Sequence, residues 1–241
     1  MGELTKTTAK PLLRVKGKPL MEYVIDLLVV HGVKEIGVNL NYRGHEIASY
    51  FGDGSRFGAQ ITYVHESTLT GTAGGVRSVA GQMQLSNPFF VISSDMLVNF
   101  DLSALAAAQR EHGGVGTLSC YFRPKDELKK SGVMLFNEQT KEIRKFVERP
   151  QKPEDIISQW VNSSVYAFSP EILTFIPQTV EGSPVVDLPR DVFPQIFKAG
   201  KKLFAHPFPS ETFYQLGIDT PDRIARAERD LESGVYAPTQ R

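Results

Sequence analysis

The sequence reads Asn87-Pro-Phe-Phe-Val-Ile-Ser-Ser-Asp-Met-Leu-Val-Asn-Phe100 near its middle, and an apolar run from Phe89 to Ile92 is followed by polar residues up to Asp95. An unbroken apolar run predicts a strand that is buried on both faces of a largely parallel sheet. In such sheets ligands bind outside the carboxyl ends of the strands. Asp95 is therefore placed either to hold a metal ion and a phosphate or to cap a turn or the next helix.

Helices and strands alternate before this run, which is typical of a doubly wound sheet. The predicted elements there are a helix from Pro19 to Leu28, a strand from Glu35 to Leu40, a helix from Gly44 to Phe51, a strand from Ala59 to Val64 and a helix from Thr72 to Ala80.

The second half of the chain has a different order of predicted elements. After an Ala-rich helix (102–111), four short strands (115–122, 133–136, 143–147 and 161–168) are separated by charged, Pro-containing turns, and two helices (188–198, 221–231) flank a further strand (203–208). This order predicts a hairpin-rich region beside the parallel sheet. Because we find no repeat, linker or domain boundary, we predict one domain over residues 1–241.

The composition limits the function classes. Lys plus Arg and Asp plus Glu number 27 each, so no overall charge favours nucleic acid or an acidic membrane. Cys120 is the only cysteine, which excludes an internal disulfide and fits a reducing compartment. The five histidines have no metal-ligand spacing, and no apolar run approaches 20 residues. We expect a cytoplasmic protein without a membrane segment.

A loop with small residues follows the strand that ends near His65. It reads Glu66-Ser-Thr-Leu-Thr-Gly-Thr-Ala-Gly-Gly-Val-Arg77. Small residues let a ligand approach the backbone, and a helix N-terminus offers unpaired N–H groups to a polar or anionic ligand. The loop is therefore either a ligand-binding loop or an ordinary helix start with glycines for tight packing.

Two further segments carry candidate phosphate and sugar ligands. Lys6-Thr-Thr-Ala-Lys-Pro11 ends a polar loop, and its Lys10 is either a compact charge for phosphate or a solvated lysine. Phe146-Val-Glu-Arg-Pro150 is a strand that ends in a carboxylate and a guanidinium. Glu148 can accept hydrogen bonds from sugar hydroxyls and Arg149 can hold a phosphate, or the two form a surface ion pair.

Taken in order, the motifs resemble one known family. They are Lys10-Pro11, Val15-Lys-Gly-Lys-Pro-Leu20, Asn39-Leu-Asn-Tyr42, Tyr50-Phe-Gly-Asp-Gly-Ser55, Gly71-Thr-Ala-Gly74, Asp95, Ser131-Gly-Val133, Phe146-Val-Glu-Arg-Pro150 and Asp187-Leu188. The order is that of the sugar-1-phosphate nucleotidyltransferases, also called NDP-sugar pyrophosphorylases, over nearly the whole chain. The closest likeness is to mannose-1-phosphate guanylyltransferases, ahead of glucose-1-phosphate thymidylyl- and uridylyltransferases.

The resemblance implies an α/β fold with a Rossmann-like, mixed and mainly parallel sheet flanked by helices, and a smaller inserted sugar-binding β region. It also implies the substrates, a nucleoside triphosphate and a sugar-1-phosphate, which give an NDP-sugar and pyrophosphate with Mg²⁺ as cofactor. Because the sugar phosphate attacks the α-phosphorus in line, such a protein must align two polyanions and neutralise developing charge. No nucleic acid or membrane partner is implied, and members often form homo-oligomers.

The resemblance also implies residue roles. Lys10 stabilises phosphate charge and Asp95 holds the metal; the nucleotide-binding residues are Glu66, Gly71, Thr72 and Ala73, and the sugar-phosphate residues are Gly132, Glu148, Arg149 and Asn162. Arg149 stands where the family commonly has a phosphate-binding lysine.

Two departures from the family pattern concern the metal and the triphosphate. The family begins with an apolar strand and a G-x-G-T-R loop around the triphosphate, whereas this sequence begins past that loop. Near the C-terminus the family carries D-[IL]-G-T-P, whose Asp is the second metal ligand. Here Gly217 stands at that position and Asp219 at the Gly position. Asp219 either reaches the metal or is the N-cap of the helix that begins at Pro221.

Two rival functions therefore stay open beside the enzyme. One is a non-catalytic homologue that binds a nucleotide or sugar nucleotide in regulation or assembly. The other is a metal-dependent glycosyltransferase, which is disfavoured because Met96 and Leu97 follow Asp95 where such enzymes typically have acidic residues on both sides of one position. Without the loop, we expect little turnover and weak triphosphate binding from the chain as written.

Overall fold

The computed structural model describes residues 8–209 and 213–238, apart from the side chains of residues 126, 127 and 130. The predicted phosphate loop begins with Lys6 and Thr7, and these two residues lie outside the described residues. Contacts between Cα atoms divide the chain into two compact units. Unit 1 comprises Met1–Ser67, Ser93–Leu102 and Thr212–Arg241, and unit 2 comprises Thr68–Ile92 and Ser103–Glu211.

The described residues form strands and helices in an α/β order. The strands are β1 (Arg14–Val15), β2 (Lys18–Pro19), β3 (Glu35–Leu40), β4 (Gln60–His65), β5 (Phe89–Ile92), β6 (Met96–Asn99), β7 (Gly116–Phe122), β8 (Val133–Phe136), β9 (Ile143–Val147), β10 (Trp160–Phe168), β11 (Leu203–Pro207) and β12 (Tyr214–Gly217). The α-helices are α1 (Leu20–Val30), α2 (Gly44–Phe51), α3 (Gly71–Ala80), α4 (Leu102–His112), α5 (Phe193–Lys198) and α6 (Pro221–Glu232), and a π-helical turn (Leu188–Val192) leads into α5.

Unit 1 contains three strand pairs and the helices around them. β3 and β4 run parallel, whereas β6 pairs with β12 and β1 with β2 in antiparallel fashion. Its apolar core joins residues that are distant in sequence: Leu13, Val15, Leu20, Tyr23, Leu97, Tyr214, Leu216, Ile218, Ala227 and Tyr236. Because β6 follows Asp95 directly and is fully packed in this core at Leu97, the core fixes the backbone that carries Asp95.

Unit 2 is built on a six-stranded mixed sheet. The strand order is β11-β7-β10-β8-β9, and β5 pairs with the second half of β10. β11 runs parallel to β7, and the other pairs are antiparallel. The aromatic side chains of Phe168 and Phe193 are fully buried in its core. The hairpin-rich region that the sequence predicts is thus the centre of this unit.

The predicted α/β class, with a mixed sheet flanked by helices, is confirmed. The bounds of α2 and of the strands β3, β5, β8 and β9 are those predicted, and most other predicted elements differ by one residue at an end. The sequence missed β6 and β12, which are short and pair with each other across 115 residues or more of chain. Within the described residues, no helix is both long and apolar enough to cross a membrane.

The strand from Phe89 to Ile92 is present, but its predicted surroundings are wrong. Its neighbour in unit 2, β10, runs antiparallel to it, and only Phe89 is buried while Phe90 to Ile92 are partly exposed. The apolar run was interpreted as an interior strand. Among the described strands of unit 2, β5 pairs with β10 alone and is therefore an edge strand of a mixed sheet.

Candidate active site

Lys10 and Asp95 form an ion pair in unit 1. Lys10 begins a short 3₁₀ turn with Pro11 at its second position, and Asp95 lies directly before β6. Lys10 Nζ lies 2.5 Å from Asp95 Oδ2, and both side chains are about one-third exposed, at 28% and 34%. A cation and a carboxylate that sequence analysis had selected separately are therefore joined, at a position that solvent and ligands can reach.

The strand pair β6–β12 holds the second half of the predicted metal site near the first. Gly217 pairs with Met96, and the Ile218 amide donates a 2.9 Å hydrogen bond to the carbonyl of Asp95. A Cβ atom at Gly217 would meet only Arg223 Nη1, at 3.7 Å. The backbone at residue 217 could therefore carry a side chain without a steric clash, but glycine supplies no carboxylate at this position.

Asp219 forms an ion pair with Arg223 and does not cap α6. Its Oδ1 lies 3.2 Å from Nε of Arg223, and its side chain is 56% exposed. The N-cap of α6 is Thr220, whose side chain accepts a hydrogen bond from the Arg223 amide. The prediction of Asp219 as N-cap is thus wrong, because the residue directly before Pro221 has the extended backbone that a cap requires. Its role as a metal ligand stays a prediction.

Mg²⁺ is the cofactor that the resemblance implies, and the donor groups of unit 1 can be compared with its needs. Asp95 supplies carboxylate oxygens, which Mg²⁺ prefers. Where the structure describes side chains, no group of three or more His, Cys, Asp or Glu residues could hold a metal ion. Since Mg²⁺ is often bound by one or two carboxylates together with substrate phosphates, Asp95 fits that use, whereas a site built from protein ligands alone is not formed.

Glu66 lies at the end of β4 in unit 1 and is half-buried. Its amide donates to the carbonyl of Leu40 at 2.7 Å, and its carbonyl accepts from the side-chain amide of Asn41 at 2.8 Å. These bonds join the carboxyl ends of the parallel strands β3 and β4. The backbone of Glu66 is thereby fixed at the sheet edge where ligands usually bind.

The Gly71–Thr72–Ala73 segment starts α3 in unit 2, and its role in nucleotide binding stays a prediction. The amides of Ala73 and Gly74 both point to the carbonyl of Val186, at 2.9 and 3.4 Å. Ala73 is also fully buried. Ala73 therefore offers no free N–H group to a ligand, because the protein itself caps this helix start. Among the described residues the amides of Gly71 and Thr72 have no protein acceptor, and the Thr72 side chain is exposed.

Gly71 explains why this loop can approach the neighbouring chain so closely. It has φ of +79°, and a Cβ atom there would lie 2.5 Å from the carbonyl oxygen of Val186. Both the left-handed backbone and the close contact require glycine. The glycine is thus required for packing at this position, and its contact with a nucleotide stays a prediction.

Three of the predicted sugar residues meet on adjacent strands of unit 2. Val133 pairs with Val147, which sets Gly132 beside Glu148, and the Asn162 amide donates a 2.8 Å bond to the Gly132 carbonyl. A Cβ atom at Gly132 would lie 2.6 Å from Glu148 Oε2. Gly132, Glu148 and Asn162 are thus brought together.

The Asn162 side chain is already engaged. It is 8% exposed, its Nδ2 donates to the Tyr166 hydroxyl at 2.8 Å, and its Oδ1 accepts from the Ser164 amide at 3.2 Å. Ser164 has φ of +61° and lies where the pairing of β10 with β7 shifts register. The bulge therefore turns the strand so that Asn162 and Tyr166 can bond to each other.

Arg149 lies on the exposed side of this cluster. Its side chain is 71% exposed, and its Nε lies 3.5 Å from Glu148 Oε1. This is the surface ion pair that the sequence allowed as the plainer alternative. Such an exposed guanidinium remains available to a phosphate, but it is not held in a fixed geometry.

Burial and like charges set the electrostatics of this cluster. Desolvation raises the pKa of Glu148; the Arg149 charge opposes this shift and the Asp187 charge adds to it. Burial also raises the pKa of Tyr166 to about 12, against the hydrogen bonds from Asn162 and Ser164. Sequence reasoning did not select Tyr166 or Asp187 as site residues. Only the register of β10 and the fold of the 186–188 segment bring them to Glu148.

Comparison with known proteins gives the family of the chain. A protein-family model described as "Nucleotidyl transferase" matches residues 1–232. A UTP–glucose-1-phosphate uridylyltransferase from Synechocystis sp. is 33% identical over 216 residues, covering 84% of this chain and 53% of the relative. A mannose-1-phosphate guanylyltransferase catalytic subunit beta from Dictyostelium discoideum is 32% identical over 187 residues, covering 73% and 51%. The chain thus spans about half the length of these curated relatives.

Solved structures share the fold. An apo UDP-glucose pyrophosphorylase superposes with a TM-score of 0.82 at 16% identity, covering 98% of this chain and 94% of that one. A glucose-1-phosphate thymidylyltransferase from Bacillus anthracis, described as putative, gives a TM-score of 0.80 at 17% identity, covering 95% and 89%. The family model spans nearly the whole sequence, and the chain belongs to the nucleotidyl transferase family.

Proposed function

We propose that this chain provides the catalytic domain of a Mg²⁺-dependent sugar-1-phosphate nucleotidyltransferase, which joins a nucleoside triphosphate to a sugar-1-phosphate and releases pyrophosphate. The observation that carries the proposal is the Lys10–Asp95 pair, 2.5 Å apart at the start of a buried strand in a member of this family. The presence of Lys10, Asp95 and Glu148 together argues against a non-catalytic homologue.

The chemistry requires charge neutralisation and alignment. The attacking sugar phosphate and the α-phosphate are both anionic, so each additional positive charge lowers the barrier as the new bond forms. Lys10 is a compact ammonium that can turn from Asp95 to a phosphate oxygen. Asp95 would hold Mg²⁺, which when bound neutralises phosphate charge. Glu148 would accept hydrogen bonds from sugar hydroxyls and so orient the sugar for in-line attack.

The base and the sugar belong to the proposal as well. We favour guanosine and mannose over uridine and glucose on the resemblance of the sequence, although relatives named for either reaction match this chain. A panel of GTP, UTP and dTTP with mannose- and glucose-1-phosphate tests this preference directly. Cytoplasmic location and assembly into homo-oligomers are further parts of the proposal.

The test measures pyrophosphate release. The protein is assayed as the 241-residue chain and as a fusion to a designed apolar strand and G-x-G-T-R loop. The fusion is expected to turn over, and Asp95→Asn in it should lose at least about 100-fold in Mg²⁺-dependent rate. Asp101→Asn is the matched control, because Asp101 is an exposed carboxylate of unit 1 next to His31.

Two results would contradict the proposal. An Asp95→Asn fusion with unchanged turnover would remove Asp95 from the reaction. A fusion that binds an NDP-sugar by calorimetry but releases no pyrophosphate with any pair of substrates would favour the non-catalytic homologue.

A further inference from the structure

The start of α3 is hydrogen-bonded to a segment more than 100 residues later, all within unit 2. Val186 contributes its carbonyl to the amides of Ala73 and Gly74, and its own amide donates to the Thr70 carbonyl at 2.8 Å. The next two residues continue the contact through the side chain of Thr72. The loop is therefore held by a fixed partner and not by its own sequence alone.

The hydroxyl of Thr72 donates one hydrogen bond and accepts another within the protein. Its Oγ1 donates to Asp187 Oδ1 at 2.9 Å and accepts from the Leu188 amide at 2.9 Å. A hydroxyl has one proton and two lone pairs, and an ionised carboxylate can only accept. The single proton is therefore committed to Asp187, and one lone pair remains for a ligand.

The backbone of Asp187 is itself immobilised. Its amide donates to Asp191 Oδ2 at 2.7 Å, and its carbonyl accepts from the Asp191 amide at 2.9 Å. Asp191 in turn binds the guanidinium of Arg190 through both carboxylate oxygens, at 2.9 and 2.8 Å. Arg190 lies 3.6 Å from the other oxygen of Asp187 and so leaves Oδ1 to Thr72.

We propose that Asp187 is a positioning residue that orients the exposed Thr72 hydroxyl as a hydrogen-bond acceptor, so that the loop selects an N–H or O–H donor on the base or ribose of the nucleotide. A phosphate oxygen, which only accepts, finds no donor in this side chain. This inference rests on the proposed function, since it assigns a chemical preference to the same nucleotide site.

The test compares ligands with and without such donors. Calorimetry with the 241-residue chain measures the affinities for GDP, UDP, GDP-mannose and inorganic pyrophosphate. Asp187→Ala and Thr72→Val should each weaken nucleotide binding by about tenfold, the worth of one hydrogen bond to the ligand. Pyrophosphate affinity should not change, because this ligand has no base or ribose. Thr72→Ser should retain the wild-type affinity, and the double variant Asp187→Ala/Thr72→Val should lose no more than either single one.

The outcomes separate this inference from the proposed function. Equal losses for nucleotides and pyrophosphate would mean that Asp187 only supports the fold, and the inference would be overturned. Unchanged nucleotide affinity in both single variants would overturn it too. In that case, nucleotide binding by the wild-type chain would still agree with the proposed function. A wild-type chain that binds no nucleotide and no NDP-sugar would overturn both.

Discussion

Gly132 provides the sharpest test of how the sugar-binding cluster is packed. An alanine Cβ there would lie 2.6 Å from Phe146 Cζ and 2.6 Å from Glu148 Oε2. Each atom would have to retreat by about 0.8 Å to reach ordinary contact. The carboxylate end of Glu148 can move into solvent. The Phe146 ring cannot move as freely, because it packs edge-on against the fully buried Phe193 at 5.3 Å.

The expected cost follows from this difference. Overpacking a close-packed site destabilises by about 1–3 kcal/mol, and each kcal/mol lowers Tm by about 2–4 °C in a chain of this size. Gly132→Ala should therefore unfold at lower urea concentration and bind mannose-1-phosphate more weakly, since Glu148 is displaced. Trp160 is the only tryptophan and lies in β10, so its fluorescence reports the unfolding of unit 2.

Two further variants isolate the cause. Gly81→Ala is the matched control, because its Cβ would meet no atom closer than 3.4 Å and its φ is −75°. Combining Gly132→Ala with Phe146→Leu removes the clashing ring atoms and should cost less than the sum of the two single changes. If Gly132→Ala unfolds like the wild type and binds the sugar phosphate equally well, the contact of Gly132 with Glu148 does not shape the site.

Three other predictions use single measurements. Burial raises the pKa of Glu148 in the folded state, so its contribution to stability is present at low pH and is lost as the pH rises through the folded pKa. The Glu148→Gln variant should therefore be more stable than the wild type at pH 8 and lose that advantage near pH 4.5. A stability difference in urea that is the same at both pH values would contradict this. Thr220→Ala should cost about 0.5–2 kcal/mol as loss of an N-cap, whereas Asp219→Ala should cost less than about 1 kcal/mol; the reverse order would restore Asp219 as the cap. Cys120 is buried with a raised pKa, so Ellman's reagent should modify it only in guanidinium, and rapid modification of the native protein would refute this.

The pattern of the sequence was sufficient for the elements and for the family. Apolar spacing and turn residues located β3, α2 and the strands of the hairpin region, because burial and backbone preference are local properties. The ordered motifs indicated the nucleotidyltransferase family, which the comparisons confirm. The strands β6 and β12 were not predicted, because a segment of four residues is too short to show a distinct period.

Only the tertiary structure decided which of the selected residues meet. Lys10 and Asp95 are 85 residues apart, and Thr72 and Asp187 are 115 apart, so no local pattern could predict either contact. The same holds for the Val186 carbonyl that accepts a hydrogen bond from the Ala73 amide. Each of these bonds depends on where two distant segments come together in the fold, and the register of paired strands and the packing of the cores set that position. The sequence by itself determined which residue types were present, and the fold determined their partners.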